Sequence, residues 1–387
     1  MINYGRQSIS EDDIDAVISV LKSDFLTQGP LVPKFEQAVA QYCGVHHAVA
    51  VSSATSALHI ACLALGVGQG DVVWTAATTF VASANCALYC GAKIDFIDID
   101  PLTYNLSVEK LALKLEAAEK EGKLPKVVIP VHLCGQSCDM KKIHDLSLRY
   151  GFKIIEDASH AIGGRYNDRP VGSCDYSDIT VFSFHPVKII TTGEGGMAVT
   201  NNLEFAKRLR MLRSHGITSS PKEMLPRPAH EIWNYQQVDL GFNYRMTDLQ
   251  AALGVSQMRR LDEFVTARHA IAERYDVELC DLPLITPYQL NSCYSSYHLY
   301  VIRLDQARSK LSQRQFYDAL HSQGILVNLH YIPVYRQPYY ENLGFPVGYC
   351  LESEKYFVEA LSLPIYSDLT FAQQGRVIDS ITHLIGQ

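Results

Sequence analysis

One segment of the chain reads Ser183-Phe184-His185-Pro186-Val187-Lys188-Ile189-Ile190-Thr191-Thr192-Gly193-Glu194-Gly195-Gly196. Apolar runs at 179–184 and 196–200 bracket it, so it is predicted to be a loop between two strands. A lysine on such a loop can lose its water shell, which lowers the pKa of its amine and frees it to form an imine. Taken alone, however, a lysine on a loop is more often a solvated surface charge. The interpretation therefore depends on the motifs around it.

A second motif, Ser52-Ser53-Ala54-Thr55-Ser56, follows a strand pattern at 48–51 and begins a helix pattern at 55–65. The first N–H groups of a helix have no partner within the helix, and the helix dipole favours an anion there. Small and hydroxyl residues at this position therefore suit a phosphate dianion. The alternative is that Ser53 only caps the helix.

The third motif, Glu156-Asp157-Ala158-Ser159-His160, places a carboxylate at the end of an apolar strand pattern. Ligands of open α/β sheets gather at the carboxyl ends of the strands. A buried Asp157 needs a partner, and a protonated pyridine nitrogen is a suitable one. A structural Asp that caps the next helix is the alternative.

Strand and helix patterns alternate through the first part of the chain. The strand patterns lie at 48–51, 72–75, 93–97, 127–131 and 153–156, and the helix patterns between them at 55–65, 81–89, 108–119 and 140–150. This alternation predicts an α/β fold with a mostly parallel sheet covered on both faces. The strands at 179–184 and 196–200 predict a hairpin-like departure from that pattern.

We expect two domains, a large one at 1–250 and a smaller C-terminal α/β domain at 251–387. The C-terminal patterns are a long helix from Thr247 to about Leu279, then strand 297–304, helix 313–323, strand 324–330, and helices 352–361 and 369–385. The segment 214–243 is too long for a plain connector, and we expect it to cover an active site or a subunit contact.

Composition excludes several classes of protein. A net charge of -7 argues against sequence-independent nucleic-acid binding, because such proteins present basic faces to phosphates. No apolar run is long enough to span a membrane, and the N-terminus lacks the features of a signal peptide, so a cytoplasmic protein is expected.

Two local patterns are set aside. The glycines of Gly66-Val67-Gly68-Gln69-Gly70 follow a helix and precede a strand, the reverse of a dinucleotide-binding fingerprint. The ten cysteines include no C-x-x-C pair, and His132, Cys134 and Cys138 form at most half of a metal site, so buried free thiols and no metal are expected.

The order of phosphate turn, carboxylate and then lysine is that of a fold-type I pyridoxal-phosphate (PLP) enzyme, the aspartate aminotransferase-like class. Over nearly its full length the sequence resembles the DegT/DnrJ/EryC1/StrS family of sugar aminotransferases. The stretches that carry this resemblance are 26–30, Ser53-Ala54-Thr55-Ser56-Ala57-Leu58, Thr79-Phe80-Val81-Ala82, Glu156-Asp157-Ala158, Phe182-Ser183-Phe184-His185, Lys188, Glu194-Gly195-Gly196 and Gly241-Phe242-Asn243-Tyr244-Arg245-Met246. Within the family, the stretches 4–7, 214–217 and 328–333 are most similar to the pseudaminic acid branch.

The resemblance implies roles around the cofactor. Lys188 is implied as the Schiff-base lysine, which also moves protons between the substrate and the cofactor. Asp157 is implied to keep the pyridine nitrogen protonated so that the ring can accept electrons. Phe80 is implied to stack on the ring and His160 to lie near its phenolic oxygen.

It also implies how the phosphate and the sugar are bound. Ala54, Thr55 and Ser183 are implied to bind the cofactor phosphate, and Asn243 to reach the same region from the neighbouring subunit of a homodimer with shared active sites. The residues implied to contact the sugar nucleotide are Tyr4, Asp24, Phe25, Leu26, Thr27, Ala54, Ser183, Asn243, His330, Tyr331, Ile332 and Pro333.

The implied reaction transfers the amino group of L-glutamate to C4 of a UDP-linked 2-acetamido-2,6-dideoxy-hexos-4-ulose. Three alternatives remain open. One is a different nucleotide-sugar 4-aminotransferase, of the perosamine or bacillosamine type. Another is a PLP-dependent sugar dehydratase, although relatives with that activity replace the lysine with histidine, and Lys188 is present here. The third is a non-catalytic sensor or regulator on the same fold, against which the presence of Lys188 and Asp157 argues.

Overall fold

The computed structural model describes residues 1–226, 228, 230 and 235–385. The helices are α1 Glu11–Leu21, α2 Leu31–Cys43, α3 Ala54–Ala64, α4 Ala82–Tyr89, α5 Val108–Glu121, α6 Met140–Tyr150, α7 Leu203–Arg213, α8 Asp248–Met258, α9 Leu261–Leu279, α10 Gln313–Ser322, α11 Pro338–Glu341, α12 Leu351–Glu359 and α13 Phe371–Ile385. The strands are β1 Ile2–Asn3, β2 His47–Val51, β3 Val72–Ala76, β4 Lys93–Ile97, β5 Val127–Ile129, β6 Lys153–Asp157, β7 Arg165–Tyr166, β8 Arg169–Pro170, β9 Ile179–Ser183, β10 Gly196–Thr200, β11 Ile217–Thr218, β12 Gln236–Gln237, β13 Leu284–Ile285, β14 Cys293–Tyr294, β15 Tyr300–Leu304, β16 Ile325–Leu326 and β17 Ala360–Leu363.

The centre of the molecule is a seven-stranded sheet in the order β2-β10-β9-β6-β5-β3-β4. The pairs β3–β4, β3–β5, β5–β6 and β6–β9 are parallel, whereas β10 runs antiparallel to both β2 and β9. Every residue of β9 and β10 is buried, as expected for strands covered on both faces. The structure confirms the predicted α/β fold, and the β9–β10 pair is the predicted hairpin-like departure.

Helices cover the sheet, and their ends follow local sequence. Ser10 and Asp13 form a reciprocal capping box at the start of α1, as their spacing suggests. The α3 helix has apolar or small residues on nearly all sides, and eight of its residues are buried. Because α3 is held in the core, its N-terminus is fixed against the sheet.

The C-terminal elements enclose an apolar cluster of their own. It includes Tyr275 of α9, Tyr300 of β15 and Phe316 of α10, all fully buried. Ile2 joins this cluster because β1 pairs in parallel with β16. The first residues of the chain are thus attached to its C-terminal part, while the domain boundary at 250 remains a prediction.

Three predictions in this part were wrong in detail. The long helix is two helices, since α8 ends at Met258 and α9 begins at Leu261. The helix predicted at 352–361 ends at Glu359, because Ala360–Leu363 pairs with β15 instead. Of the strand predicted at 324–330, only Ile325–Leu326 forms, because the following residues turn to line a cavity.

The segment 214–243 is described in part. Its two ends meet in the antiparallel pair β11–β12. Arg227, Ala229 and 231–234 lie outside the described residues. No helix in the described part of the chain is long and apolar enough to cross a membrane. The cytoplasmic location stays a prediction.

Candidate active site

A cavity of about 910 Å³ opens at the carboxyl ends of the parallel strands. Asp157 at the end of β6 and Ser183 at the end of β9 both line it. The predicted site residues that line the cavity are Tyr4, Ala54, Thr55, Phe80, Asp157, His160, Ser183, Lys188, His330, Tyr331 and Ile332. Residues far apart in the sequence therefore meet in one place.

Lys188 lies on the loop between β9 and β10. Its backbone N–H donates to the carbonyl of His185 at 2.9 Å, and Thr192 N–H bonds to the Phe184 carbonyl at 3.0 Å, so the loop folds back on the strand. Burial lowers the pKa of the Lys188 amine to about 8, although the nearby Asp157 carboxylate acts in the opposite direction. A substantial fraction of this amine is therefore neutral near physiological pH.

Asp157 is 4% exposed, and its carboxylate is held by hydroxyl groups. Ser83 of α4 donates to Oδ2 at 2.6 Å, and Ser159 donates to Oδ1 through its hydroxyl at 2.5 Å and its N–H at 3.1 Å. These donors are all neutral, and no ion pair to Asp157 occurs among the residues that the structure describes. The carboxylate is oriented but lacks a cationic partner.

The start of α3 forms another wall of the cavity. Ser53 is the N-cap and accepts a hydrogen bond from Ser56 N–H at 3.1 Å, which leaves Ala54 and Thr55 facing the cavity. Gly196 at the start of β10 packs directly against this turn, where a Cβ atom would overlap the Ser53–Ala54 peptide. The structure confirms that Ser53 caps the helix, while the phosphate role of the turn, which lines the cavity, stays a prediction.

His160 and Tyr331 are neighbours in the lining of the cavity. The Tyr331 hydroxyl lies 3.2 Å from His160 Nε2, and the Phe80 and Tyr331 ring centroids are 6.1 Å apart. Phe80 is 56% exposed, so one face of its ring is free. Burial, followed by the nearby Lys188 charge, holds the pKa of His160 far below its usual value, so its ring is neutral.

Tyr4, near the N-terminus, and His330, in the C-terminal part of the chain, lie together on one side of the cavity. Their ring centroids are 5.0 Å apart. His330 Nδ1 lies 2.8 Å from the Ser362 hydroxyl, and Tyr356 donates to the His330 carbonyl at 2.7 Å. Burial lowers the pKa of His330 to about 3, so this ring is neutral as well.

Six predicted residues do not line this cavity: Asp24, Phe25, Leu26, Thr27, Asn243 and Pro333. The first four lie beside α8, where Thr27 bridges Thr247 and Asp248 N–H donates to the Leu26 carbonyl. Asn243 is exposed and bridges Ser214. Pro333 is buried beside the cavity lining, and only Asn243 was expected to act on a neighbouring subunit. The roles of all six remain predictions.

Sequence reasoning missed four cavity or supporting residues: Ser83, Ser159, His298 and Asn328. Ser159 had a signal, because a serine two residues after an aspartate often closes an Asx turn. Ser83 follows Thr79 by one helical turn, which is a weak signal. Asn328 begins the stretch 328–333 that carried the resemblance, but it was given no role. Nothing local marked His298, since only the tertiary fold brings it to the cavity.

His132 has a structural setting away from the cavity. Its Nε2 lies 2.7 Å from Glu156, its Nδ1 accepts from Cys138 N–H at 3.1 Å, and the imidazole is buried. Within the described residues, no group of three or more His, Cys, Asp or Glu side chains is placed to hold a metal ion.

The fold and this cavity define the class of protein. A mostly parallel seven-stranded sheet with a lysine on the β9–β10 loop, a carboxylate at the end of β6 and a helix start facing both is the arrangement of the aspartate aminotransferase-like enzymes.

The chain belongs to the DegT/DnrJ/EryC1/StrS aminotransferase family, which it matches over residues 7–382. It is 36% identical to the UDP-4-amino-4,6-dideoxy-N-acetyl-beta-L-altrosamine transaminase of Campylobacter jejuni over 386 residues, covering 100% of this chain and 98% of that protein. The structure of Helicobacter pylori PseC, an aminotransferase involved in the biosynthesis of pseudoaminic acid, aligns with a TM-score of 0.88 at 29% identity, covering 100% and 99% of the two chains. The PMP form of the sugar aminotransferase Spr1654 from Streptococcus pneumoniae aligns with a TM-score of 0.89 at 28% identity, covering 99% of each chain.

The cavity fits the cofactor that the sequence implied. The uncompensated Asp157 carboxylate suits a protonated ring nitrogen, and the free N–H groups at the start of α3 suit a phosphate. Gly196 packs against that turn and has no side chain, so no Cβ atom of residue 196 crowds it. Lys188, with its lowered pKa, is the amine suited to covalent attachment.

Proposed function

We propose that this enzyme is a PLP-dependent aminotransferase that transfers the amino group of L-glutamate to C4 of a UDP-linked 2-acetamido-2,6-dideoxy-hexos-4-ulose. The product is UDP-4-amino-4,6-dideoxy-N-acetyl-beta-L-altrosamine, a precursor of pseudaminic acid. The observation that carries the proposal is that a single cavity holds both Lys188 and the buried carboxylate of Asp157, which accepts hydrogen bonds from the neutral groups of Ser83 and Ser159.

Bound PLP supplies an electron-accepting ring that carries the amino group between the two substrates. Asp157 would hold the ring nitrogen protonated, and the Ser83 and Ser159 hydroxyls orient its carboxylate through hydrogen bonds. The N–H groups of Ala54 and Thr55, with the Ser183 hydroxyl, would hold the phosphate, and the free face of Phe80 would cover the ring.

Lys188 would move the proton in both halves of the reaction. A group transfers protons most effectively when its pKa is near the working pH, because it is then ready both to accept and to donate. Burial brings the Lys188 amine into that range. His160 and Tyr331 lie on the same cavity wall and would orient the reacting groups.

The sugar nucleotide would enter on the side of the cavity formed by Tyr4 and residues 330–332. Tyr4, His330, Tyr331 and Ile332 line that side of the cavity and offer aromatic faces for the sugar. The choice of the altrosamine precursor is supported by the 36% identity to the C. jejuni transaminase and by the fold shared with PseC.

We further propose a homodimer with shared active sites. Asn243 and the segment 24–27 lie outside the cavity of their own chain, and Phe25 and Leu26 are exposed. Exposed apolar side chains next to predicted substrate-binding residues are consistent with a surface that a second subunit covers. On this arrangement each active site needs both subunits.

The proposed reaction is tested by incubating the purified enzyme with PLP, L-glutamate and a panel of UDP- and dTDP-linked 4-keto sugars. Mass spectrometry and NMR then give the product and its C4 configuration, with Lys188→Ala as the inactive control. Amination of a different sugar would favour a perosamine- or bacillosamine-type enzyme. Loss of a hydroxyl group without consumption of glutamate would indicate a dehydratase and contradict the proposal.

A further inference from the structure

His298 lies just before β15 and reaches the inner end of the cavity. It is 4% exposed, lines the cavity, and its ring centroid is 4.3 Å from that of His160. Its Nδ1 is buried and has no hydrogen-bond partner among the residues that the structure describes. Burial is the main reason that the pKa of this imidazole lies well below its usual value, so the ring is neutral and carries one proton.

The position of that proton follows from the unpaired nitrogen. A buried N–H without a partner is rarer in proteins than a buried acceptor without one. We therefore assign the unprotonated lone pair to the buried Nδ1 and the hydrogen to Nε2. On this assignment His298 has an N–H available to a ligand in the cavity.

A buried positive charge stands behind His298. Arg268 of α9 is 2% exposed, and its guanidinium donates to the carbonyls of Tyr297, His298 and Ile365 at 2.9–3.2 Å. It makes no ion pair within the described part of the chain. Burial lowers the pKa of Arg268 to about 10, so it remains charged at neutral pH.

The Arg268 guanidinium is 3.2 Å from the His298 carbonyl, and its charge helps to lower the pKa of that imidazole, after burial and the nearby His160 and Lys188. A buried cation without a counter-charge is costly, and an anion nearby offsets that cost. The three carbonyl contacts also fix residues 297 and 298 in place. The inner end of the cavity is thus a rigid, electropositive position with an unused donor.

The other cationic or imidazole groups that line the cavity are already engaged or exposed. Lys188 is the only Lys or Arg among the described residues that line the cavity. Its proposed role is proton transfer at the reacting amino group, not binding of a carboxylate. His160 Nδ1 is also buried without a partner among the described residues, so by the same rule its hydrogen is on Nε2, which lies 3.2 Å from the Tyr331 hydroxyl. His330 contacts Ser362. His185 is exposed at the cavity edge. A carboxylate that enters with the amino donor therefore finds its free buried donor at His298.

We propose that His298, with the Arg268 charge behind it, binds a carboxylate of the amino donor. The inference rests on the proposed aminotransferase function and adds to it the subsite that holds the donor. His298 contacts the substrate, and Arg268 acts through His298 as a positioning residue.

The test uses the PLP-loaded enzyme and glutarate, a dicarboxylate with neither an amine nor a keto group. Glutarate binding is measured by calorimetry for the wild type, His298→Leu and His298→Gln. A hydrogen bond to a charged group has a strength that corresponds to about tenfold or more in affinity. His298→Leu is therefore expected to weaken glutarate binding at least about tenfold, whereas His298→Gln, which keeps an N–H donor, restores most of it.

The control variant is His269→Leu. His269 lies on α9 and bonds to the Ser295 carbonyl at 2.7 Å, and its ring is outside the cavity. This variant should bind glutarate as the wild type does. In steady-state assays, His298→Leu should raise the KM for glutamate and leave the KM for the sugar nucleotide unchanged.

Equal glutarate affinity in the wild type and in a folded His298→Leu, including no measurable affinity in either, would overturn the inference. So would a loss in His298→Leu that His298→Gln does not restore. The glutarate measurement contains no sugar nucleotide, so its outcome is separate from failure of the proposed sugar amination.

Discussion

Ser83 on α4 donates a 2.6 Å hydrogen bond to Oδ2 of Asp157 at the end of β6. Ser83 also lies 2.8 Å from the hydroxyl of Thr79, which precedes Phe80 in the loop between β3 and α4. The carboxylate expected to meet the ring nitrogen and the aromatic ring expected to cover the cofactor are therefore connected through one buried serine.

Ser83→Ala is expected to weaken PLP binding about tenfold and to lower kcat/KM by a similar factor. The reason is that a hydrogen bond to a charged carboxylate is worth about 1.5–3 kcal/mol. The affinity is measured by titrating the apoenzyme with PLP and following absorbance.

Ser177→Ala is the matched control for this change. Ser177 donates to Glu156, the residue that precedes Asp157 on β6 but lies outside the cavity. This variant should lower the free energy of unfolding while the PLP affinity stays as in the wild type. Equal PLP affinities for the two variants would contradict the role given to Ser83.

Much of this architecture could be predicted because its signals are local. Apart from β1, the strands and helices up to Tyr150 were placed to within about two residues, since the strands are apolar runs and the helices repeat apolar residues at helical spacing. Asp157 and the start of α3 were found at the end or beginning of such an element, and Lys188 in the loop between two of them. The order of these motifs then indicated the class of fold.

The parts that could not be predicted depend on packing between distant segments. Ala360–Leu363 continues a helical pattern, yet it forms a strand because β15 offers a free edge. His298 lines the cavity through the tertiary fold, in which Arg268, thirty residues earlier, donates to its carbonyl. Neither of these two contacts can be recognised from the sequence around it.

Lys188→Met is expected to stabilise the apoenzyme at pH 7. The pKa of Lys188 falls from 10.5 in the unfolded chain to about 8 in the folded one. Between pH 8 and pH 10.5 the lysine is therefore protonated in the unfolded chain and mostly neutral in the folded one. The stability of the wild-type apoenzyme should therefore rise with pH from about 8 to 10.5, and below pH 8 the charged lysine costs about 3 kcal/mol.

Methionine removes this cost, so Lys188→Met should exceed the wild type by about 2–3 kcal/mol in free energy of unfolding at pH 7. The difference should shrink as the pH approaches 10. Urea unfolding of both apoproteins at pH 7 and pH 9.5 measures it. A difference that does not change with pH would show that the amine is not desolvated.

Gly196→Ala is expected to reduce PLP affinity by about tenfold or more and to destabilise the protein by about 1–3 kcal/mol. The added Cβ would overlap the Ser53–Ala54 peptide, which is backbone and cannot move aside without shifting the start of α3. Gly68→Ala is the control, because a Cβ there meets open space. PLP titration and thermal unfolding of both variants decide the point, and equal behaviour would mean that the turn is not the phosphate site.

Mixing two inactive variants tests whether the active sites are shared. Lys188→Ala lacks the reacting amine, and Asn243→Ala lacks the residue expected to reach the neighbouring cavity. In a mixed dimer, the cavity of the Asn243→Ala chain keeps its own Lys188 and receives Asn243 from its partner, so one of the two sites is complete. Random re-association of equal amounts gives about half mixed dimers, and hence about a quarter of the wild-type activity. The activity of the mixture is compared with that of each variant alone after the same dissociation step. If the mixture is no more active than the sum of its parts, although exchange of subunits is shown by mass spectrometry, then Asn243 does not serve the neighbouring site.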